Sequence, residues 1–217
     1  MSAQPLLLDA DAMRVSVPDE ERQKALSQWY TPAGLAERSW RWMLRDVPHA
    51  EPLSVLEPSC GLGALITPLF TLSVPVRRLV AYDIDDRNAA TVAAKLAPTG
   101  LDFEVHARDF LAADDGERFD VCLQNPPYEN NLDVAFAERA LERCTRVAGI
   151  YAVRILFAQE RKAFWKWTDI RRLVVLSSRP RFGGGFTPMT DFCVMELARR
   201  QHARRQGEPS AAETEWW

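Results

Sequence analysis

The segment Asn125-Pro126-Pro127-Tyr128 combines a side-chain amide, two prolines and an aromatic ring directly after a predicted strand, Phe119–Gln124. Neither proline has a backbone N–H and each fixes its own φ, so a strand cannot continue through them. The carbonyl groups of Asn125 and Pro126 are therefore expected to lack a ladder partner. An amide, exposed carbonyls and an aromatic ring suit the binding of a planar ring that carries an amine. The alternative is a rigid turn with a core tyrosine.

A second group of residues has the form of a nucleotide-binding loop. The predicted strand Leu53–Glu57 precedes Pro58-Ser59-Cys60-Gly61-Leu62-Gly63, and a helical pattern follows from Ala64 to Leu72. Glycines in such a turn let backbone amides approach a ligand at the helix N-terminus. The next strand, over residues 78–84, brings Asp83 to a position 20 residues beyond Gly63. An acid at that position holds a ribose diol in such folds.

Two more segments could complete a pocket around this loop. The third predicted strand, residues 102–107, ends near Asp109-Phe110, where an acceptor beside an aromatic ring could bind the amine and one face of an adenine. The corner Trp29-Tyr30-Thr31 precedes a helix that opens at Pro32 with Thr31 as its cap, and it could grip a small ligand with a carboxylate. Ligands of an open parallel sheet bind outside the carboxyl ends of its strands, so these signals converge on one cleft.

The remaining sequence supplies the elements of one α/β domain. Strands alternate with helices, which predicts a doubly wound, mostly parallel sheet. Residues 178–190 are too short and too rich in glycine and proline for a crossover helix, so the last strand is expected to be antiparallel. Seven strands are predicted, of which the last three cover residues 147–155, 172–177 and 191–198. Residues 1–17 are interpreted as a flexible leader, 18–206 as a single domain with its first helix over 18–27, and 207–217 as an acidic tail that frays unless Trp216-Trp217 dock.

Composition restricts the classes of protein that the chain can represent. With 217 residues, 47% hydrophobic and 26% charged, the chain suits one soluble globular domain. No apolar stretch reaches membrane-spanning length and the N-terminus is unlike a signal peptide, so we expect a cytoplasmic location without membrane contact. The four cysteines form no C-x-x-C pair and only three histidines are present, which argues against a metal site and against disulfides.

Charge is divided unevenly along the sequence. Residues 1–142 contain 13 Lys/Arg and 23 Asp/Glu, whereas residues 143–206 contain 14 Lys/Arg and 4 Asp/Glu. An acidic protein with this division can present one basic face to a polyanion, although solvated helix faces explain it as well. Basic residues interleaved with aromatics suit phosphate contact and base stacking. The candidate substrate contacts are Arg161, Lys162, Lys166, Arg179, Arg181, Phe182 and Phe186.

Together these motifs resemble the S-adenosylmethionine-dependent amino-methyltransferases of nucleic acids, specifically the DNA adenine (N6) type. Glu57 to Gly63 resembles the first motif of this family, Asn125 to Tyr128 its catalytic motif, and Gln28 to Pro32 its cofactor-binding corner. The resemblance covers residues 28–198 and implies a Rossmann-like class I methyltransferase fold, with seven strands of which the last is antiparallel. It also implies S-adenosylmethionine as the cofactor, held by Trp29, Tyr30, Thr31, Glu57, Ser59, Cys60, Gly61, Gly63, Asp83, Ile84, Asp109, Phe110 and Asn125.

The resemblance assigns the catalytic roles to Asn125, Pro126, Pro127 and Tyr128. The amine of adenine is a poor nucleophile because its lone pair is delocalised into the ring. If the Asn125 side-chain oxygen and the Pro126 carbonyl accept hydrogen bonds from both amine hydrogens, a pyramidal nitrogen is favoured. Tyr128 would stack on a flipped or unpaired base, with Phe182 or Phe186 covering another side.

One feature departs from the pattern of that family. Its dedicated DNA-methylating members commonly carry a separate target-recognition region, and none of evident size follows Ala198. A separate partner could therefore supply sequence specificity. Nucleic acid is the expected substrate, with DNA favoured over RNA. An RNA adenine methyltransferase, a protein glutamine methyltransferase and an inactive methyltransferase fold that serves as a binding subunit stay open as alternatives.

Overall fold

The computed structural model describes residues 29–47, 51–114, 116–157, 159–182, 189–200 and 213–217. The predicted leader over 1–17, the predicted helix over 18–27, Gln28 and Phe186 lie outside the described residues. The helices are α1 (Ala33–Leu44), α2 (Thr67–Thr71), α3 (Asp86–Leu96), α4 (Leu132–Arg143) and α5 (Lys162–Trp167). The strands are β1 (Leu53–Glu57), β2 (Val76–Asp83), β3 (Phe103–Ala107), β4 (Phe119–Gln124), β5 (Cys144–Ala152), β6 (Thr168–Val175), β7 (Phe192–Arg199) and β8 (Glu213–Trp216).

The strands form one sheet in the order β3-β2-β1-β4-β5-β7-β6-β8. β7 runs antiparallel to both of its neighbours, β5 and β6, and all other neighbouring pairs are parallel. The prediction of a mostly parallel sheet with an antiparallel seventh strand is therefore confirmed. The sequence does not predict the eighth strand: residues 213–216 pair with β6 instead of fraying. None of the helices that the structure describes has the length and hydropathy of a membrane span.

Apolar cores cover both faces of the sheet. In β4, Val121 and Leu123 belong to the core that includes side chains of α1, α2 and α3, whereas Cys122 belongs to the core that includes side chains of α4 and α5. This alternation follows from the period of two along a strand. Burial on both faces requires nearly continuous apolar strands. For this reason the bounds of β1 and β4 can be predicted from the sequence and agree with the structure.

Several predicted boundaries differ from those observed. β5 ends at Ala152 because a 3₁₀ turn begins at Val153. β6 begins at Thr168, four residues earlier than predicted, and ends at Val175, two residues earlier than predicted. Pro32 rather than Thr31 is the N-cap of α1, and no side chain caps that helix. The Thr31 hydroxyl contacts the candidate site instead.

A buried ion triad ties α1 to the sheet. Glu196 of β7 is 1% exposed and lies 2.5 Å from the Arg172 guanidinium and 2.9 Å from that of Arg146. Arg172 also donates hydrogen bonds to the carbonyls of Trp42 and Met43, at 3.0 and 3.2 Å, near the end of α1. Its guanidinium lies 4.4 Å from the centre of the Trp42 ring. One arginine thus satisfies a buried carboxylate and two carbonyl groups of a helix end.

We predict that Arg172→Met destabilises the fold strongly. Loss of Arg172 leaves Glu196 with Arg146 as its remaining cation and removes the donor of the Trp42 and Met43 carbonyls. Removal of one partner from a buried ion pair costs about 3–5 kcal/mol. Urea unfolding should report this loss as a lower free energy of unfolding. The control is Arg41→Ala, because Arg41 is 65% exposed and forms a surface pair with Glu37 that contributes about 0.5 kcal/mol or less. Equal effects of the two substitutions would contradict the role given to Arg172.

Candidate functional site

The glycine turn after β1 is fastened to the end of β2. Gly61 has a φ of +50°, and its N–H donates a hydrogen bond of 2.7 Å to Asp83 Oδ2. A Cβ atom at Gly61 would lie 3.3 Å from the ring of Tyr30. Glycine is thus required here both for the left-handed conformation and for the close approach of Tyr30. The turn, Asp83 and Tyr30 all line the same cleft.

Asp83 is 8% exposed and is bonded through both carboxylate oxygens. Oδ1 accepts hydrogen bonds from the Asp85 N–H at 2.8 Å and from the Asn88 amide at 3.4 Å. The pKa of Asp83 is raised, because burial has the largest effect. The hydrogen bonds from Asp85, Gly61 and Asn88 lower the pKa by a smaller amount. Each carboxylate oxygen has two lone pairs, so Oδ2 keeps one for a ligand hydroxyl. This arrangement is compatible with the predicted contact to a ribose.

Glu57 lies behind the turn rather than in the cleft. It is 2% exposed, and its carboxylate accepts a hydrogen bond of 3.2 Å from the Ser59 N–H. Burial, with a smaller contribution from Asp83, raises the pKa of Glu57 from 4.5 to about 8. Glu57 is one of four predicted cofactor contacts that do not line the cleft. The four are Thr31, Glu57, Cys60 and Gly63. These residues support the wall of the cleft from behind.

The far end of the cleft is apolar. Ile84 is 68% exposed although it is a large aliphatic residue, and it lines the cleft together with Asp109 and Phe110. Asp109 Oδ1 accepts a hydrogen bond of 2.9 Å from the Leu111 N–H and caps a short 3₁₀ turn. Phe110 packs at 5.4 Å from the ring centre of Phe136. An exposed aliphatic side chain opposite aromatic and carboxylate groups suits a flat heterocycle with a polar edge.

The amide of Asn125 is held in one orientation at the end of β4. Its Nδ2 group donates hydrogen bonds to the Trp29 carbonyl at 2.6 Å and to Thr31 Oγ1 at 3.0 Å. A backbone carbonyl can only accept, so the nitrogen must face Trp29 and the oxygen must face away from it. The predicted corner at 29–31 therefore has a role that the sequence does not reveal. It fixes the direction of the Asn125 side-chain oxygen.

The backbone carbonyls of Asn125 and Pro126 differ in their partners. The Asn125 carbonyl accepts a hydrogen bond of 3.2 Å from the Ser59 hydroxyl, which is a side-chain group and not a ladder partner. The Pro126 carbonyl forms no hydrogen bond with the residues that the structure describes. Pro126 and Pro127 both line the cleft. The Pro126 carbonyl is thus available as an acceptor beside the oriented oxygen of Asn125.

Tyr128 does not present its ring to the cleft, which corrects the expectation that it is ready to stack on a base. It is 5% exposed, and its ring packs on Phe192 at 5.3 Å between centres. Its hydroxyl lies within hydrogen-bonding distance of Asn125 Oδ1 and 3.2 Å from the Ile150 carbonyl. Burial raises the pKa of Tyr128 well above its usual range, so the hydroxyl stays protonated and donates.

Arg161 is a structural residue and not a phosphate contact, which corrects its predicted role. It is 7% exposed and donates a hydrogen bond of 3.0 Å to Asn131 Oδ1. Its guanidinium also contacts the carbonyls of Arg154 and Phe157 and lies 3.9 Å from Asp133. A buried arginine with these partners cannot reach solvent. It holds the loop that follows the catalytic motif.

Phe182 likewise lies in the core, which corrects its assignment to a substrate face. It is 1% exposed and packs edge-on against Trp29 at 5.8 Å and Phe192 at 5.1 Å. Its hydrophobic contacts support the corner that orients Asn125. The other predicted substrate contacts that lie within the described ranges have exposed side chains. They are Lys162, Lys166, Arg179 and Arg181.

The cleft has a volume of about 350 Å³ and lies at the carboxyl ends of β1, β2, β3 and β4. Nine of the predicted cofactor residues line it, and they are Trp29, Tyr30, Ser59, Gly61, Asp83, Ile84, Asp109, Phe110 and Asn125. The sequence does not single out seven further lining residues, which are Pro58, Arg108, Leu111, Glu129, Asn130, Leu132 and Phe136. Position is their shared signal. Pro58, Arg108 and Leu111 lie within four residues after a predicted strand end, and the other four lie within eight residues after Tyr128. Within the described ranges, no three His, Cys, Asp or Glu side chains group in a way that could hold a metal ion.

Comparison with known families identifies the class of protein. The profile of the methyltransferase small domain family matches residues 38–148, which is 111 of the 217 residues. The chain belongs to this family. The resemblance inferred from the motifs is thereby confirmed for a methyltransferase, and the matched residues contain the glycine turn, Asp83 and Asn125 to Tyr128.

Individual relatives of this methyltransferase agree with that result. The type II methyltransferase M.CvrRI of Paramecium bursaria Chlorella virus XZ-6E is 36% identical over 86 residues, which is 40% of this chain and 21% of that protein. The chain therefore matches about a fifth of that relative. The type I restriction-modification methyltransferase subunit of Streptococcus thermophilus has a TM-score of 0.66 at 16% identity, over 83% of this chain and 48% of that chain.

A class I S-adenosylmethionine-dependent methyltransferase candidate from Listeria monocytogenes has a TM-score of 0.65 at 13% identity, over 88% of this chain and 67% of that chain. The class I methyltransferase fold is thus confirmed. This fold implies S-adenosylmethionine as the methyl donor, and the cleft fits it. The exposed Ile84 offers a face for the adenine, Asp83 an acceptor for the ribose, and Gly61 a close backbone approach.

We predict that Glu57 makes the stability of this methyltransferase fall between pH 5 and pH 8. The unfolded chain releases the Glu57 proton near pH 4.5, whereas the folded chain keeps it to about pH 8. The contribution of Glu57 is therefore full below pH 4.5 and is lost as the pH rises toward 8. Glu57→Gln removes this loss, because an amide does not titrate.

Urea unfolding of the wild type and of Glu57→Gln at both pH values measures this effect. Because one pKa unit corresponds to about 1.4 kcal/mol, the variant should gain about 2–4 kcal/mol over the wild type between pH 5 and pH 8. A difference between the two proteins that is the same at both pH values would contradict the assignment of a protonated Glu57.

Proposed function

We propose that this protein transfers a methyl group from S-adenosylmethionine to the exocyclic N6 amine of adenine in DNA. The observation that carries the proposal is the pair of acceptors at the end of β4. Asn125 Oδ1 has a fixed direction, since Nδ2 of the same amide is bonded to Trp29 and Thr31. The Pro126 carbonyl is the second acceptor, and both residues line the cleft.

The chain's contribution to the chemistry is orientation and electrostatics. S-adenosylmethionine, when bound, supplies an electrophilic methyl group. The Asn125 oxygen and the Pro126 carbonyl accept the two amine hydrogens, which localises the lone pair on the nitrogen and directs it toward the cofactor end of the cleft. Acceptors that are already oriented need no reorganisation as positive charge develops on the nitrogen. Alignment of the nitrogen with the methyl group supplies the remaining acceleration. The carbon–sulfur bond would break as the carbon–nitrogen bond forms, S-adenosylhomocysteine would leave, and the methylated nitrogen would lose its acidic proton to solvent, so no strong general base is needed.

The buried position of Tyr128 defines a step that must precede stacking on the base. Its hydroxyl donates to Asn125 Oδ1, which keeps its second lone pair for the amine. The ring becomes free to stack on the base, as the sequence predicts for Tyr128, when it leaves the pocket against Phe192 and its hydroxyl leaves Asn125.

Nucleic acid is favoured as the polymer by two observations. The segment 143–206 is strongly basic, with 14 Lys/Arg against 4 Asp/Glu. The relative with the higher identity is a type II methyltransferase, and the matched subunit from Streptococcus thermophilus belongs to a restriction-modification system, which favours DNA over RNA. We also infer that the protein acts together with a separate partner, which supplies sequence specificity. Its cytoplasmic location stays a prediction.

We predict that the purified protein places methyl groups on adenine in DNA. Labelled S-adenosylmethionine is incubated in parallel with duplex DNA, single-stranded DNA, RNA and protein, and the products are hydrolysed and separated. Label is expected in N6-methyladenine from DNA. Label recovered only in glutamine would overturn the nucleic-acid assignment, label only in RNA would overturn the choice of DNA, and no transfer to any substrate would favour a binding subunit.

The same assay tests the acceptor pair with Asn125→Ala. Removal of one oriented group of this kind lowers kcat by about 100-fold or more, while calorimetry should show cofactor affinity close to the wild type. Gln159→Ala is the matched control, because it removes an exposed amide without a hydrogen bond to the described residues. Wild-type turnover in Asn125→Ala would contradict the mechanism.

A further inference from the structure

A basic groove lies on the other side of the corner that orients Asn125. It has a volume of about 720 Å³ and lies at the carboxyl ends of β6 and β8, beside the first turns of α1. Its lining includes Arg38, Arg179, Arg181, Trp217, Leu176 and Pro32, and among the residues that the structure describes no acidic side chain lines it. We propose that this groove binds the phosphate backbone of the DNA strand that carries the target adenine. The inference rests on the proposed function and identifies where that substrate is held.

The charges of the groove are poorly neutralised by the protein. Arg38 and Arg181 are exposed, and neither forms an ion pair with a described acidic residue. Arg179 pairs with Asp191 at 3.0 Å, but the two side chains are 46% and 68% exposed, so solvent screens the pair. By contrast, Arg78 has three acidic partners, Asp102, Glu104 and Glu117. The arginines of the groove are thus available for phosphate groups.

Trp217 gives the groove a fixed aromatic wall. Its backbone N–H donates to the Val175 carbonyl at 3.0 Å, and its own carbonyl accepts from the Ser177 N–H at 2.5 Å. The ring packs edge-on against Trp42 at 6.2 Å, and the Arg38 guanidinium lies 4.6 Å from its centre. A guanidinium stacked on an aromatic ring keeps its N–H groups in the plane that faces outward. The sequence does not predict β8, yet this strand places the Trp217 ring at the groove, where the ring is also the stacking partner of Arg38.

The groove is connected to the acceptor pair through two short links. Pro32 follows Thr31, whose hydroxyl lies 3.0 Å from Asn125 Nδ2. Arg181 precedes Phe182, which packs on Trp29, and the Trp29 carbonyl binds the same amide group at 2.6 Å. A DNA backbone bound in the groove therefore lies next to the residues that orient Asn125.

The charge of the cleft gives a reason why the DNA backbone would be bound at a different place from the target base. Asp83, Asp109 and Glu129 line the cleft. These carboxylates repel phosphates, although they suit a neutral base and a cationic cofactor. A flipped base can enter the cleft only if its phosphates are held elsewhere. The groove supplies that place on the opposite side of the corner at 29–32.

Steady-state kinetics of Arg38→Ala, Arg181→Ala and the double variant with an adenine-containing oligonucleotide test the inference. Each arginine that contacts a phosphate contributes about 1 to the slope of log affinity against log salt concentration. The double variant should therefore show a higher KM and a slope that is smaller by about 2, while kcat and the affinity for S-adenosylhomocysteine stay unchanged. Arg77→Ala is the control, because Arg77 is an exposed arginine at the amino end of β2 on the opposite edge of the sheet.

The outcomes separate the two proposals. If the wild type methylates DNA but the double variant keeps the wild-type KM and salt slope, the groove inference is wrong and the proposed function stands. If the wild type methylates only protein, the proposed function is wrong, and a DNA backbone in the groove is excluded with it. If Arg77→Ala lowers the slope as much as the groove variants do, binding is a diffuse effect of surface charge and the groove assignment is overturned.

Discussion

The site depends on the amide nitrogen of Asn125, which donates one hydrogen bond through each of its two hydrogens. Its hydrogen bonds to the Trp29 carbonyl and the Thr31 hydroxyl join two segments that are almost 100 residues apart in sequence, with separations of 96 and 94. They leave the side-chain oxygen with a single orientation, and this oxygen is the acceptor on which the proposed chemistry relies. Phe182 supports Trp29 from the core, and the Ser59 hydroxyl binds the Asn125 carbonyl from the glycine turn. The acceptor is therefore connected to the cofactor side of the cleft as well as to the groove.

Most of the fold follows from local signals in the sequence. β1 and β4 are apolar on both faces, and Gly61 has the positive φ that the glycine turn requires. Each of these features is set by residues close in sequence, so prediction succeeds. β8 is different, because its four residues have no pattern of their own and are ordered by pairing with β6. A strand defined by its partner cannot be predicted from its own sequence.

The roles of individual side chains were harder to predict than their presence near the site. Phe182 and Tyr128 are aromatic residues beside a cleft, and composition alone does not decide between a stacking face and core packing. Arg161 belongs to a basic-aromatic stretch, yet its neighbour Asp133 is 0% exposed and needs a cation nearby. In each case the side chain is committed by a partner that is distant in sequence. The tertiary fold decides which arginines and aromatics remain available to a substrate.

A complex with an adenine-containing oligonucleotide and S-adenosylhomocysteine tests the central claim most directly. The quantity to measure in its crystal structure is the distance from the adenine N6 atom to Asn125 Oδ1 and to the Pro126 carbonyl oxygen. The account predicts that both distances are about 3 Å and that the Tyr128 hydroxyl has left Asn125. An adenine bound with its amine directed away from both oxygens, while Tyr128 still donates to Asn125, would contradict it.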